Sequence, residues 1–169
     1  MDRDNKKRTD KPKIYMETTM FNFYFDEEEG EPHEYTVRLF EMIKEGVFKA
    51  YTSTFVINEL KKAREDKRSK MLKLIDECSM IILDENDEIN MMGRSYVRRG
   101  IIPPGFLTDA LHIATATVYG LDIIASMNLK HIVKNKTIEM TGIINIENGY
   151  DTVKIRSPKE VVEDVCKID

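Results

Sequence analysis

The sequence has few of the features that mark a secreted protein, a zinc protein or a membrane protein. It contains only two cysteines, Cys78 and Cys166, which lie far apart and outside any CxxC or Cys/His pattern. This argues against a zinc site and for a reducing, cytoplasmic setting. No apolar run approaches the ~20 residues that a membrane-spanning helix needs, and no signal-type apolar segment follows the charged residues 1–13. We therefore expect a cytoplasmic protein with no membrane partner.

Strong charge bias and low-complexity sequence are also absent. The formal net charge is −4, and 33% of the 169 residues are charged while 41% are hydrophobic, which is typical of a globular protein. No internal repeat or linker divides the chain, so we expect a single domain at residues 13–169 after a flexible tail at residues 1–12. The net charge does not itself favour a nucleic-acid partner, although local basic patches matter more for phosphate contacts than the total does.

Short apolar strands alternate with amphipathic helices along the chain. The residue patterns predict strands at 14–17, 50–52, 79–83, 122–126 and 153–156. They predict helices at 33–46, 53–62, 66–77, 84–99, 108–118, 129–133, 137–147 and 157–165. The strand at 79–83 reads as buried, Leu72 as an inward helix residue and residues 26–34 as a solvated loop. The segment 137–147 also fits a strand, because it contains Gly142 and paired isoleucines.

This alternation predicts an α/β fold. Strands connected through helices form βαβ crossovers, which give a mainly parallel central sheet between two helical layers, a three-layer α/β/α sandwich. In such sheets, ligands bind outside the carboxyl ends of the strands.

Polar oxygen donors gather at the predicted carboxyl ends. Glu17 ends the first strand, Glu59 lies in the helix after the second, Asp109 lies just inside the helix before the fourth, and Asn128 follows that fourth strand. Oxygen donors from distant segments suit a hard cation such as Mg²⁺ or Mn²⁺. Three of these residues also have a simpler explanation in isolation: Glu59 as a solvated helix residue, Asp109 as a partner of the helix dipole, and Asn128 as a turn residue. Glu17 is harder to explain in this way, because a carboxylate rarely ends an apolar strand of a covered sheet without a role.

The helix that carries Asp109 explains how an acid can occur in an apolar segment. In "TDALHIATA", Leu111 and Ile113 can face the sheet while Asp109 and His112 point toward the strand ends. A histidine at such a position is more often a hydrogen-bonded helix residue than a catalytic base.

Four segments together resemble the PIN-domain ribonucleases, which include VapC-like toxins of type II toxin–antitoxin systems. They read "IYMETT", "YTSTFVINEL", "TDALHIATA" and "IIASMNLKHI" and occur in the family's order within residues 13–133. The later stretch "GYDTVKIRSPKEVVED" resembles the C-terminal part of one branch. The third segment is the most specific of the four.

The resemblance implies a Mg²⁺- or Mn²⁺-dependent endoribonuclease that hydrolyses RNA phosphodiester bonds. It implies that Glu17, Glu59 and Asp109 hold the metal, and that Thr18 and Asn128 complete the catalytic set. Two positions depart from the family pattern, since Glu17 and Asn128 both stand where the family commonly has aspartate. The longer Glu17 side chain and the missing charge at Asn128 should weaken the binding of a second metal ion.

The resemblance also implies partners. We expect RNA, an antitoxin protein that blocks the acidic pocket, and a second copy of the chain packed against the helices after the second strand. Candidate RNA contacts are the basic run 61–70 and the residues Lys130, His131, Lys134, Arg98 and Arg99. Other interpretations are a catalytically weakened PIN-fold module that binds RNA or protein, and a metal-dependent DNA nuclease or small phosphatase.

Overall fold

The computed structural model describes residues 10–167, which form five β-strands and eight α-helices. Most of the predicted tail, residues 1–9, lies outside the described residues. The elements in chain order are β1 Lys13–Met16, α1 Thr18–Phe25, α2 Glu31–Lys44, β2 Lys49–Ser53, α3 Thr54–Leu60, α4 Glu65–Glu77, β3 Ile81–Leu83, α5 Asp87–Arg98, α6 Leu107–Val118, β4 Ile123–Ala125, α7 Asn135–Glu147, β5 Lys154–Arg156 and α8 Pro158–Cys166.

The strands form one sheet in the order β3-β2-β1-β4-β5, and every neighbouring pair is parallel. Tyr15 of β1 pairs with Tyr51 of β2 on one side and with Ile124 of β4 on the other. The central strands are buried, as expected for a parallel sheet covered on both faces. The structure thus confirms the α/β fold with a parallel central sheet flanked by helices.

The strand β3 is not buried as its apolar sequence suggested. Ile81 and Ile82 are 42% and 46% exposed, and of the three strand residues only Leu83 is buried. Because β3 is one of the two edge strands of this sheet, it has a neighbouring strand on one side only. Leu72 is likewise 40% exposed, and Leu74 takes the inward position that we assigned to it.

Three further segments differ from the predictions. The helix α1 was not predicted, and the loop at 26–34 contains a 3-10 turn at Glu27–Glu29 and the start of α2. The short helix predicted at 129–133 is absent, because residues 126–134 have no regular secondary structure and form turns only at 129–132; we call this segment the post-β4 loop. The uncertain segment at 137–147 is the helix α7, so the helical interpretation is confirmed.

The helices α5 and α6 pack closely, and a buried polar cluster joins them to α7. Gly93 permits the approach, because a Cβ atom at this position would lie 2.7 Å from Leu111 Cδ2. Tyr96 donates its hydroxyl hydrogen to Asn145 Oδ1, and Asn145 Nδ2 donates to Thr117 Oγ1 at 3.1 Å. The contact between α5 and α6 supports the helix that carries Asp109.

Candidate active site

Glu17 occupies the position between β1 and α1, and its buried carboxylate caps the helix. Oε2 accepts hydrogen bonds from the backbone N–H and the hydroxyl of Thr19, and from Ser126 Oγ at 2.7 Å. Ser126 directly follows β4, so this contact ties together the carboxyl ends of two adjacent strands. Burial raises the pKa of Glu17, although the nearby His112 and the hydrogen bonds act in the opposite direction. The structure therefore holds a carboxylate where ionisation is costly.

Glu59 is held on one oxygen by two donors. Thr18 Oγ1 donates to Oε1 at 3.0 Å, and His112 Nε2 lies 2.7 Å from the same oxygen. Burial acts to raise the pKa of Glu59, but the hydrogen bond and charge of His112 outweigh it, with smaller contributions from Thr18 and Lys62, so that the pKa is lowered. The surroundings of Glu59 therefore favour its ionised form.

His112 lies at the centre of the candidate site. It is 1% exposed, and its second ring nitrogen, Nδ1, lies 2.7 Å from the Tyr15 hydroxyl. Burial acts to lower the pKa of His112, but the hydrogen bond to Glu59 and the negative charges of Glu17, Glu59 and Asp109 raise it overall. The imidazole therefore lies within electrostatic reach of all three acids that the sequence singled out.

Asp109 and the post-β4 loop meet through a second histidine. Asp109 Oδ2 lies 2.9 Å from His131 Nδ1, and the centroid of the Phe106 ring lies 4.1 Å from that of the imidazole. The backbone N–H of His131 donates to Asn128 Oδ1 at 3.0 Å, while Asn128 N donates to Ser126 Oγ at 2.9 Å. Asn128 thus closes the turn that presents His131 to Asp109.

The three carboxylates share one arrangement. Each has one oxygen held by protein donors, namely Glu17 Oε2, Glu59 Oε1 and Asp109 Oδ2. Within residues 10–167, no protein donor contacts the other oxygen of any of the three. Carboxylates held on one side by neighbouring groups are typical of metal ligands.

The oxygen ligands at this site suit a divalent cation chemically, but their present positions do not form a complete binding site. Three carboxylates and an amide supply the oxygen ligands that Mg²⁺ and Mn²⁺ prefer. In the described part of the chain, however, no three His, Cys, Asp or Glu side chains stand close enough together to hold a metal ion as they are. Binding a cation through all three acids would require the carboxylates to turn toward one another.

The predicted RNA-binding residues differ in whether their side chains are exposed, paired with an acid or buried. Lys130 and Lys134 are exposed on the post-β4 loop, and Arg98 is exposed at the end of α5. Arg99 is already paired, since its Nη1 lies 2.8 Å from Glu147 Oε2. His131 is buried against Asp109, so it belongs to the acidic site and not to an exposed basic surface.

Sequence reasoning missed several residues that shape the site. Tyr15, Thr19 and Ser126 hold the acids or their partners, yet none carries a charge that would draw attention. Ser126 had a usable signal, because it is a hydroxyl residue directly at the carboxyl end of a strand. Lys62 was not missed, since it belongs to the predicted basic run 61–70; it lies in the turn after α3, and its charge contributes to lowering the pKa of Glu59.

Comparison with known proteins identifies a structural relative. The fold resembles the crystal structure of VapBC2 from Rickettsia felis bound to a DNA fragment from their promoter, with a TM-score of 0.57 and 11% sequence identity. The match covers 86% of this chain and 98% of that chain. No protein-family model and no curated protein matches the sequence. At this identity the likeness is one of fold, and it agrees with the PIN-like architecture that the sequence motifs imply.

The length and composition of the helices bear on membrane insertion. None of the helices within residues 10–167 has both the length and the apolar composition that a membrane-spanning segment requires.

Proposed function

We propose that this protein is a Mg²⁺- or Mn²⁺-dependent endoribonuclease of the PIN type that acts as the toxin of a toxin–antitoxin pair in the cytoplasm. The observation that carries the proposal is the set formed by Glu17, Glu59 and Asp109. These acids come from three distant segments, lie around His112 at the carboxyl ends of the strands, and each keep one oxygen that no donor in the described part of the chain contacts. The order of the sequence motifs and the VapBC2-like fold support the same assignment.

The residues of the site divide the work between them. Glu17, Glu59 and Asp109 would hold the cation, which supplies an activated water and neutralises phosphate charge when bound. Thr18 fixes Glu59 through its hydroxyl, and Asn128 shapes the loop beside Asp109. The exposed lysines of that loop, Lys130 and Lys134, would contact RNA phosphates, and their charge would offset that of the acidic site.

The proposed partners follow from the proposed class. An antitoxin would compete with RNA for the acidic site, and the VapBC2 complex in the solved relative includes a VapB partner. A homodimer would use the helices α3 and α4 that follow β2, where the exposed Leu72 offers apolar surface. Neither partner is needed for the chemistry at the three acids.

Calorimetric Mn²⁺ titration and cleavage of a structured RNA test the proposal. The wild type should bind Mn²⁺ saturably and cleave RNA, and Asp109→Asn should lose both while its amide oxygen can still accept from His131. Asp87→Asn is the matched control, because Asp87 is an exposed acid in the first turn of another helix.

Other outcomes point to the alternatives. Metal-dependent cleavage of flap DNA, with RNA left intact, would replace the ribonuclease by a DNA nuclease. A folded wild type that neither binds Mn²⁺ nor cleaves either substrate would refute the enzyme and leave a binding module of the same fold.

A further inference from the structure

A closed path of hydrogen bonds links Glu59 to the start of its own helix. His112 Nε2 lies 2.7 Å from Glu59 Oε1, His112 Nδ1 lies 2.7 Å from Tyr15 Oη, and Tyr15 Oη lies 2.7 Å from Ser53 Oγ. Ser53 is the N-cap of α3 and accepts from Val56 N–H at 3.4 Å. The path therefore leaves α3 at Glu59, passes through α6 and the adjacent strands β1 and β2, and returns to the start of α3 at Ser53.

The donor and the acceptor of each hydrogen bond along this path can be assigned. An ionised carboxylate only accepts hydrogen bonds, so His112 Nε2 must carry hydrogen toward Glu59. In the neutral ring, Nδ1 then accepts a hydrogen bond from the Tyr15 hydroxyl. The Tyr15 oxygen in turn accepts from the Ser53 hydroxyl, whose oxygen accepts from the Val56 N–H. In the charged ring, both nitrogens donate and the Tyr15 hydroxyl turns to Ser53. Nε2 donates to Glu59 in both cases.

The path joins rigid groups to a side chain that would otherwise move. Tyr15 and Ser53 have no exposed surface and His112 has almost none, so none of the three can turn without disturbing the packed core. Glu59, by contrast, has a side chain that is 34% exposed and lies on the short helix α3. Without the imidazole, Thr18 would be the one donor left to its carboxylate among residues 10–167.

We propose that His112, locked in place by Tyr15, is a positioning residue for RNA cleavage that fixes the Glu59 carboxylate with one oxygen engaged and the other left for the reaction centre. This rests on the proposed function, since it assigns Glu59 a part in cleavage. It assigns no contact between His112 and RNA.

Three variants separate positioning from packing. His112→Leu fills the core but removes the hydrogen-bond donor to Glu59, whereas His112→Gln keeps a donor that can reach Glu59. Tyr15→Phe keeps the aromatic ring but removes the hydroxyl that holds the imidazole. His112→Leu should lower kcat by about 10–100-fold with KM for RNA unchanged, as is usual for groups that orient metal ligands. His112→Gln should recover most of that loss, and Tyr15→Phe should fall between the two.

The controls address folding and alternative roles. Thermal unfolding of each variant shows the folded fraction to which kcat is normalised, and Tyr15→Phe provides a mild change if His112→Leu does not fold. Equal kcat values for the Leu and Gln variants, or an effect on KM alone, would overturn the proposal. A variant with wild-type kcat and lowered thermal stability would assign His112 to packing.

A measurement without RNA distinguishes failure of this proposal from failure of the nuclease. Protein labelled with ¹⁵N-histidine is examined by NMR at alkaline pH, with His112→Gln used to assign the signals. The neutral ring should carry its proton on Nε2; a proton on Nδ1 would overturn the positioning contact even in an active enzyme. An inactive wild type with the Nε2 proton in place would refute the nuclease and the positioning role in cleavage, while the His112–Glu59 contact itself would stand.

Discussion

Replacing Glu17 by glutamine should stabilise the protein at neutral pH and abolish the proposed cleavage. Glu17 is 3% exposed, and burial raises the pKa of its carboxyl, although His112 and three hydrogen bonds act to lower it. A glutamine oxygen can take the place of Oε2 and accept from Ser126 and Thr19, so the contacts that hold the segment are kept. The variant removes the cost of a buried charge with little change in shape.

The pH dependence of this gain has a fixed sign. Because the pKa of Glu17 is higher in the folded than in the unfolded protein, the folded state binds the proton more tightly, and wild-type stability falls as pH rises through this range. The advantage of Glu17→Gln is therefore full above the folded pKa, and it is lost as the pH falls below the unfolded pKa of about 4.3, where the carboxyl becomes protonated in both states. A single stabilising substitution commonly raises the free energy of unfolding by about 0.5–2 kcal/mol. Each kcal/mol raises Tm by roughly 2–4 °C in a domain of this size.

Differential scanning calorimetry of both proteins between acidic and neutral pH, without added metal, measures this effect. Glu29→Gln is the control, because Glu29 is an exposed acid in the 3-10 turn. A Tm for Glu17→Gln that equals or falls below the wild type at neutral pH would refute the reasoning. So would a gain that does not shrink on acidification, since that gain could not come from the charge.

Three other predictions concern the site and its support. Asn128→Asp should tighten Mn²⁺ binding by roughly tenfold, or about 1.4 kcal/mol, in a calorimetric titration, and unchanged affinity would mean that this position does not face the cation. Gly93→Ala should lower the free energy of unfolding by about 1–3 kcal/mol in urea, because its methyl group would overlap Leu111; a neutral result would show that the two helices can separate freely. Asn145→Leu should cost about 1–3 kcal/mol, and combining it with Tyr96→Phe should cost less than the sum, whereas additive losses would contradict the hydrogen bond between them.

The central sheet could be predicted from sequence because its signal is local. Each strand reads as a short apolar run followed by polar residues, and in the structure Glu17 directly follows β1 and Asn128 lies shortly after β4. The prediction was wrong for exposure at β3, because a run of three apolar residues does not tell an edge strand from a central one. Strand order depends on crossovers that no local pattern records.

The helix α1 and the partners of the acids could not be predicted for different reasons. The segment Thr18–Phe25 is rich in aromatic residues and threonine, which favour strands, and it becomes helical with Glu17 as its cap and with Phe21 packed edge-on to Phe40. His112 and Glu59 are separated by 53 positions, and His131 and Asp109 by 22. Only the tertiary fold brings such pairs together, so the sequence could place the acids but not show what holds them.

The post-β4 loop is tied to the acidic site as well as to its own backbone. Besides backbone hydrogen bonds such as Ser126 N to Arg156 O and Val133 N to Asn128 O, its polar contacts run from Ser126 to Glu17, from Met127 N to Thr19 Oγ1 at 2.8 Å, and from His131 to Asp109. Anything that draws Glu17 or Asp109 away, whether a cation, a bound strand or an inhibitor's basic side chain, must loosen this loop or replace its contacts. The exchange rates of its backbone amides with solvent would therefore change with occupancy of the site, which makes the loop a built-in reporter of ligand binding.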